Sequence, residues 1–194
     1  MKVSLFALAL AAAGIAAVPA ASHAQDKGGF FVNGNVGQAT LDRGVYDDDD
    51  TGYGVNAGYR WALSPNVAIG IEGGYTDLGK FSPKSLVFIG GAVLGSAELT
   101  GWTAGVNGHF NLNDNWYLSG RGGLFRADVK GDYLATGVPV RVNDTSNKFY
   151  AGAGFGYDFS NNFSVGLNYD YYKVDKNRLN LNTNLVSVGA EARF

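Results

Sequence analysis

One feature constrains this chain more than any other. Segments of about ten residues alternate strictly, one parity bulky and apolar, the other small. Over 51–61 one parity reads Tyr53, Val55, Ala57, Tyr59, Trp61 and the other Gly52, Gly54, Asn56, Gly58, Arg60. The split recurs at 67–77, with Val67, Ile69, Ile71, Gly73, Tyr75 against Ala68, Gly70, Glu72, Gly74, Thr76. It returns at 149–159, at 163–171 and at 186–194, and more weakly at about 29–39, 98–110 and 116–128. A period of two places successive side chains on opposite faces of a strand. The pattern predicts eight strands.

The two faces decide where such a sheet lives. A soluble barrel turns its apolar face inward and a Lys-, Glu- and Thr-rich face to water. Here the polar parity is mostly Gly, Ala, Ser and Asn with scattered ions, which suits the cramped inside of an eight-stranded barrel. The bulky parity suits lipid, and ten tilted residues cross a bilayer. Composition agrees: Gly 29, Phe 12 and Tyr 11 beside Pro 4 describe closely approaching strands, not disorder. Cys 0 removes disulfides and thiol chemistry, and a net charge of −2 is too balanced for nucleic-acid binding. The expected fold is therefore all-β, an eight-stranded antiparallel up-and-down transmembrane β-barrel.

Connections follow the same plan. Ser64-Pro65-Asn66, Asn111 to Asn115 and Ser160-Asn161-Asn162 read as short periplasmic turns. Longer outer loops are expected at about 40–51, 78–97, 129–147 and 174–183, with Pro83 and Pro139 in loops because proline cannot donate to a ladder. Phe30, Trp61, Phe110, Trp116, Phe159, Phe163 and Phe194 mark one aromatic level, and Tyr53, Tyr75, Trp102 and Tyr171 the other, as the two bilayer interfaces select. At the N-terminus Lys2 precedes an apolar run from Val3 to Val18, and Ser22-His23-Ala24 supplies a cleavage site. Residues 1–24 are thus expected to be a cleaved signal peptide and 25–194 the barrel, exported from a Gram-negative cytoplasm to the outer membrane.

With eight strands, the segments Trp116-Tyr117-Leu118-Ser119-Gly120-Arg121-Gly122-Gly123 and Tyr150-Ala151-Gly152-Ala153-Gly154-Phe155-Gly156-Tyr157, and a terminal Phe194, the chain resembles the small OmpA-like and OmpX/Ail-like outer-membrane barrels over nearly all of 28–194. The resemblance implies that Phe194 is an assembly signal read by the barrel-assembly machinery. It also implies adhesion or host-factor binding as a family theme. Wall anchoring is not implied, since the chain stops at the last strand.

Candidate chemistry is sparse. Some barrels of this size modify lipid A with Ser/His/acid groups at the outer surface, but after signal removal only His109 remains, at the periplasmic level and with no positioned serine. No catalytic, cofactor or metal residues are assigned, and the expected function is non-enzymatic. Asp47-Asp48-Asp49-Asp50 with Thr51 and Gly52 mimics half an EF-hand, but position twelve would be Gly58, so a solvated acidic loop is expected.

Two constellations stand out. The inward parity carries Arg60, Glu72, Arg121, Asp158, Asp170, Glu191 and Arg193, and opposite charges in a narrow lumen must pair. A lumen ion-pair network through Arg60, Glu72, Arg121 and Glu191 is expected to plug the barrel. Its functional alternative is a narrow ion-conducting pore gated at Glu72 and Arg121. Loop 2 holds Leu86-Val87-Phe88-Ile89-Gly90-Gly91-Ala92-Val93-Leu94, unusually apolar for an outer loop, and loop 3 the β-rich Val138-Pro139-Val140-Arg141-Val142. Either strands continue past the membrane and pack these residues, or they form a surface that captures a host or surface protein. Lys80, Lys84, Lys130 and Arg141 are expected either to contact lipopolysaccharide phosphates or simply to stand solvated in the loops. The expected function is that of a barrel serving envelope integrity and surface interaction.

Overall fold

In the computed structural model, residues 28–41, 49–81, 88–89, 92–135, 138–173, 175–176, 179–180 and 182–194 are described. The signal segment, Leu86, Val87 and Lys84 lie outside them. Eight long strands follow the period-two pattern: β1 (Gly29–Leu41), β2 (Asp49–Ser64), β3 (Val67–Phe81), β4 (Ala92–Asn111), β5 (Trp116–Ala135), β6 (Val138–Ser160), β7 (Phe163–Lys173) and β8 (Thr183–Arg193). Each pairs antiparallel with the next, and β8 returns to β1 from Phe31↔Arg193 to Leu41↔Thr183, closing the barrel. Closure leaves no sheet edge in lipid, which a membrane-spanning sheet requires. The Phe194 amide adds a last bond to the Phe30 carbonyl at 2.9 Å.

The faces lie as the parity predicts. Val55, Ile71, Trp102, Leu124, Phe149 and Leu167 are exposed on the outside, Phe149 at 67 %, while Arg60, Glu72, Asp158, Asp170, Glu191 and Arg193 are buried inside. Rings on the outer face meet at both levels: Phe30, Tyr59 and Trp61 in successive edge contacts at one, Tyr75 on Trp102 with centroids 5.3 Å apart at the other.

The outer connections depart from the expected loops. Loop 3 was expected over 129–147, yet β5 and β6 stay paired up to Ala135↔Val138. Pro139 consequently stands inside β6 opposite Leu134, not in a loop. It is the second residue of the strand, where a missing donor costs least. Likewise β2 begins at Asp49 and β8 at Thr183, earlier than the alternation suggested. Asp50 explains its own inclusion: it accepts the Thr51 and Lys80 amides, each at 2.7 Å, so the end of the acidic run is tied to β3. Gly79, at φ 90°, permits the irregularity between Asp77 and Lys80 where β3 passes β4.

Candidate functional site

The lumen is layered. Near the periplasmic turns, Arg60 of β2 donates to both Glu191 oxygens of β8, at 2.5 and 2.9 Å, and through Nε to Asn107 Oδ1 of β4 at 2.6 Å. Its guanidinium lies 4.0 Å from the centre of the Phe31 ring, where the negative π face attracts it. Arg193 of β8 reaches Asp158 of β6 at 2.5 Å and lies 3.5 Å from Glu191. Asp158 also accepts from Asn111 at 2.7 Å and lies 3.2 Å from His109 Nε2, while the His109 ring stacks on Tyr117. Alternate strands β2, β4, β6 and β8 therefore supply one cross-linked floor.

One layer higher, Arg121 of β5 donates to Asp170 of β7 through Nε at 2.6 Å and through Nη2. Asp170 is wholly buried, and a side chain at Gly152 would collide with its carboxylate, so that glycine makes room for the pair. Glu72 accepts from the Tyr150 hydroxyl at 2.7 Å. Above this, the inward positions turn apolar: Leu78, Leu99, Phe125, Tyr172 and Leu185 pack with Ala39 and Ala127 and seal the extracellular half.

Of the four charges expected to form one network, Arg60 and Glu191 are brought together directly. Glu72 and Arg121 line the same cavity, yet no ion pair joins them; Arg121 is taken by Asp170, whose inward position the parity gave without naming it as a partner. The apolar upper layer is the feature that sequence reasoning missed. Its signal was present: Phe125 shares parity with Arg121 and Gly123, and Leu185 with Ser187 and Gly189. Among the described residues the lumen holds a cavity of about 30 Å³ lined by Asn33, Arg60, Glu72, Asn107, Arg121 and Glu191 among others. That volume holds about two waters.

Outside the membrane, strand lengths diverge. β4 and β5 have 20 residues and β6 has 23, against 11 for β7 and β8. The surplus projects beyond the extracellular aromatic level as a paired sheet. On the β4 side its tip is covered, since the two-residue strand Phe88–Ile89 pairs with Ala92 and Val93. On the β6 side, pairing with β7 begins only at Phe149↔Lys173. Among the described residues, no strand lies against the outer edge of 138–147.

Residues 7–194 match the model of the outer membrane protein beta-barrel domain. The chain belongs to that family. Its members reside in the outer membrane of Gram-negative bacteria, which agrees with a closed barrel wrapped in an apolar face. Among solved structures, Neisserial surface protein A is 16% identical, with 85% of this chain and 97% of that one covered and a TM-score of 0.62. Ail, the attachment invasion locus protein of Yersinia pestis, is 17% identical over 86% and 97%, with a TM-score of 0.56. The outer membrane protein AlkL is 16% identical over 91% and 95%, with a TM-score of 0.52. At such identities the likeness is one of fold. No curated protein matches the chain significantly.

Proposed function

We propose that this family member is a non-enzymatic surface-interaction barrel, anchored in outer-membrane lipid and lipopolysaccharide and capturing a host or surface protein on its projecting sheet. The observation that carries the reading is the outer edge of β6 over 138–147, which no strand among the described residues pairs and which is held above the membrane by its ladder with β5. A ladder uses every second amide and carbonyl of a strand, so the other half of β6 faces outward as a template for an added strand. Apolar residues of loop 2 stand at the tip of the same sheet, Phe88 and Ile89 in the short strand beside β4. Ail has been crystallised with the heparin analogue sucrose octasulfate, so a sulfated glycan is the competing class of surface ligand. In biogenesis, Phe194 serves as the signal to the assembly machinery.

The test uses cells displaying the protein, scored for adhesion to surfaces coated with matrix protein or with heparin. Val142→Pro and Asn143→Pro lie on opposite parities, so one removes a ladder donor and the other an edge donor. The edge variant, and separately deletion of 86–94, should abolish adhesion to protein while the barrel still folds. Adhesion unchanged in every variant, or to heparin alone, would sink strand capture.

A further inference from the structure

The ionised side chains below the apolar layer do not balance. Arg60, Arg121 and Arg193 stand against Glu72, Asp158, Asp170 and Glu191, one carboxylate too many. Three of the carboxylates hold a guanidinium. Glu72 does not: its hydrogen-bond partner among the described residues is the uncharged Tyr150 hydroxyl. A buried carboxylate without a counter-charge bears a desolvation penalty that one hydroxyl does not offset.

A second, independent observation sits beside it. The cavity of about 30 Å³ is lined by Glu72, and two further lining groups end in unsatisfied polar atoms, the Nδ2 of Asn107 and the Oδ1 of Asn33. Asn107 is 5 % exposed, with its Oδ1 already taken by Arg60, so its free amide hydrogens have nowhere else to go. Native interiors rarely leave such groups without a partner. The space therefore has room for about two water-sized occupants and both donors and acceptors to hold them.

We propose that this cavity binds one monovalent cation from solvent, a proton or an alkali ion, which balances Glu72. Glu72 and Asn33 offer it oxygen, and Asn107 donates to the water that accompanies it. The charged and titratable groups around Glu72 come from every flank. Arg60 of β2 and Arg121 of β5 attract it, Asp170 of β7 and Glu191 of β8 repel it, and His109 of β4, Tyr117 of β5, Tyr150 of β6 and Tyr172 of β7 complete the surround. His109 is the rival seat for the balancing charge, but it lies at the floor, against an Asp158 that already has Arg193.

The experiment is urea unfolding of the purified barrel in detergent, in two series. One varies pH between about 6 and 9 at fixed sodium; the other replaces sodium by choline at constant ionic strength. Linkage to one bound cation changes the unfolding constant by up to about tenfold for each tenfold change in that cation. The wild-type protein should show that slope in one series, Glu72→Gln should remove it, and His109→Gln should leave it. Dependence on pH identifies the occupant as a proton, and dependence on sodium as an alkali ion. The proposal fails if neither series has a slope, if Glu72→Gln runs parallel to wild type in both, or if His109→Gln is the variant that abolishes the slope.

Discussion

Near the periplasmic turns the barrel is filled by charge, and near the extracellular rim by Phe125, Tyr172, Leu78 and Leu185. Both fillings leave little room for water, yet they constrain the chain differently. The floor is directional: Arg60 fits its fork onto both Glu191 oxygens, and Arg193 with His109 and Asn111 converges on Asp158. Each contact names its partner strand, so β2, β4, β6 and β8 are tied in one relative position. The upper layer is addressed only by volume and shape, and other apolar side chains of similar size would serve. Charge thus brings specificity along with a desolvation penalty, whereas apolar filling brings stability with little identity.

The sharpest way to break the comparison is to orphan one floor charge. Arg60→Ala leaves Glu191 buried with Arg193 alone near it, and should cost about 3–5 kcal/mol in urea unfolding of the detergent-solubilised barrel. Replacing the pair together, Arg60→Met with Glu191→Leu, should recover most of that loss, because both desolvation penalties disappear with the charges. A double variant as unstable as the single one would mean that the floor contributes more than its own pairing. In the upper layer no second substitution can rescue the first in that manner. Leu185→Ala, at a fully buried position, should cost about 2–5 kcal/mol through lost contacts and the cavity left behind.

How far each half was legible follows from the same chemistry. Period-two alternation exposes every inward position, so Arg60, Glu72, Arg121 and Glu191 were assigned to the lumen from sequence alone. Partner choice was not legible, because shear offsets neighbouring strands: Arg121 reaches Asp170 two strands away, while Glu72 meets Tyr150. Phe125 and Leu185 were overlooked because a bulky residue on the small-residue parity looks like noise until its neighbours across the barrel are known. At the rim, Val138–Val142 read as β-rich, but only the ladder with β5 reveals that it is one edge of a hairpin and that Pro139 is tolerated there. Distance from the turns could not settle this, since alternation weakens once strands leave the bilayer and no lipid selects the outer face.

An ion pair outside the lumen sharpens the contrast by failing to matter. Lys80 and Glu98 stand on paired positions of β3 and β4, 3.6 Å apart, with side chains 68% and 33% exposed. Residue types alone do not rank the two pairs, since both join a basic residue to a glutamate on another strand; parity does, because it turns Arg60 and Glu191 into the lumen and leaves Lys80 near an outer loop. Water makes the difference. An exposed pair gains little over its separately hydrated charges and is screened by salt. Glu98→Gln should therefore change stability by less than about 1 kcal/mol, and even that small effect should shrink as salt is raised. Arg60→Ala measured at the same two salt concentrations should keep nearly its full cost, because the Arg60–Glu191 pair is buried and bulk salt screens a buried pair far less than an exposed one. Equal salt sensitivity in the two variants would mean that the floor is wet, and the division between a charged and an apolar half would then lose its physical basis.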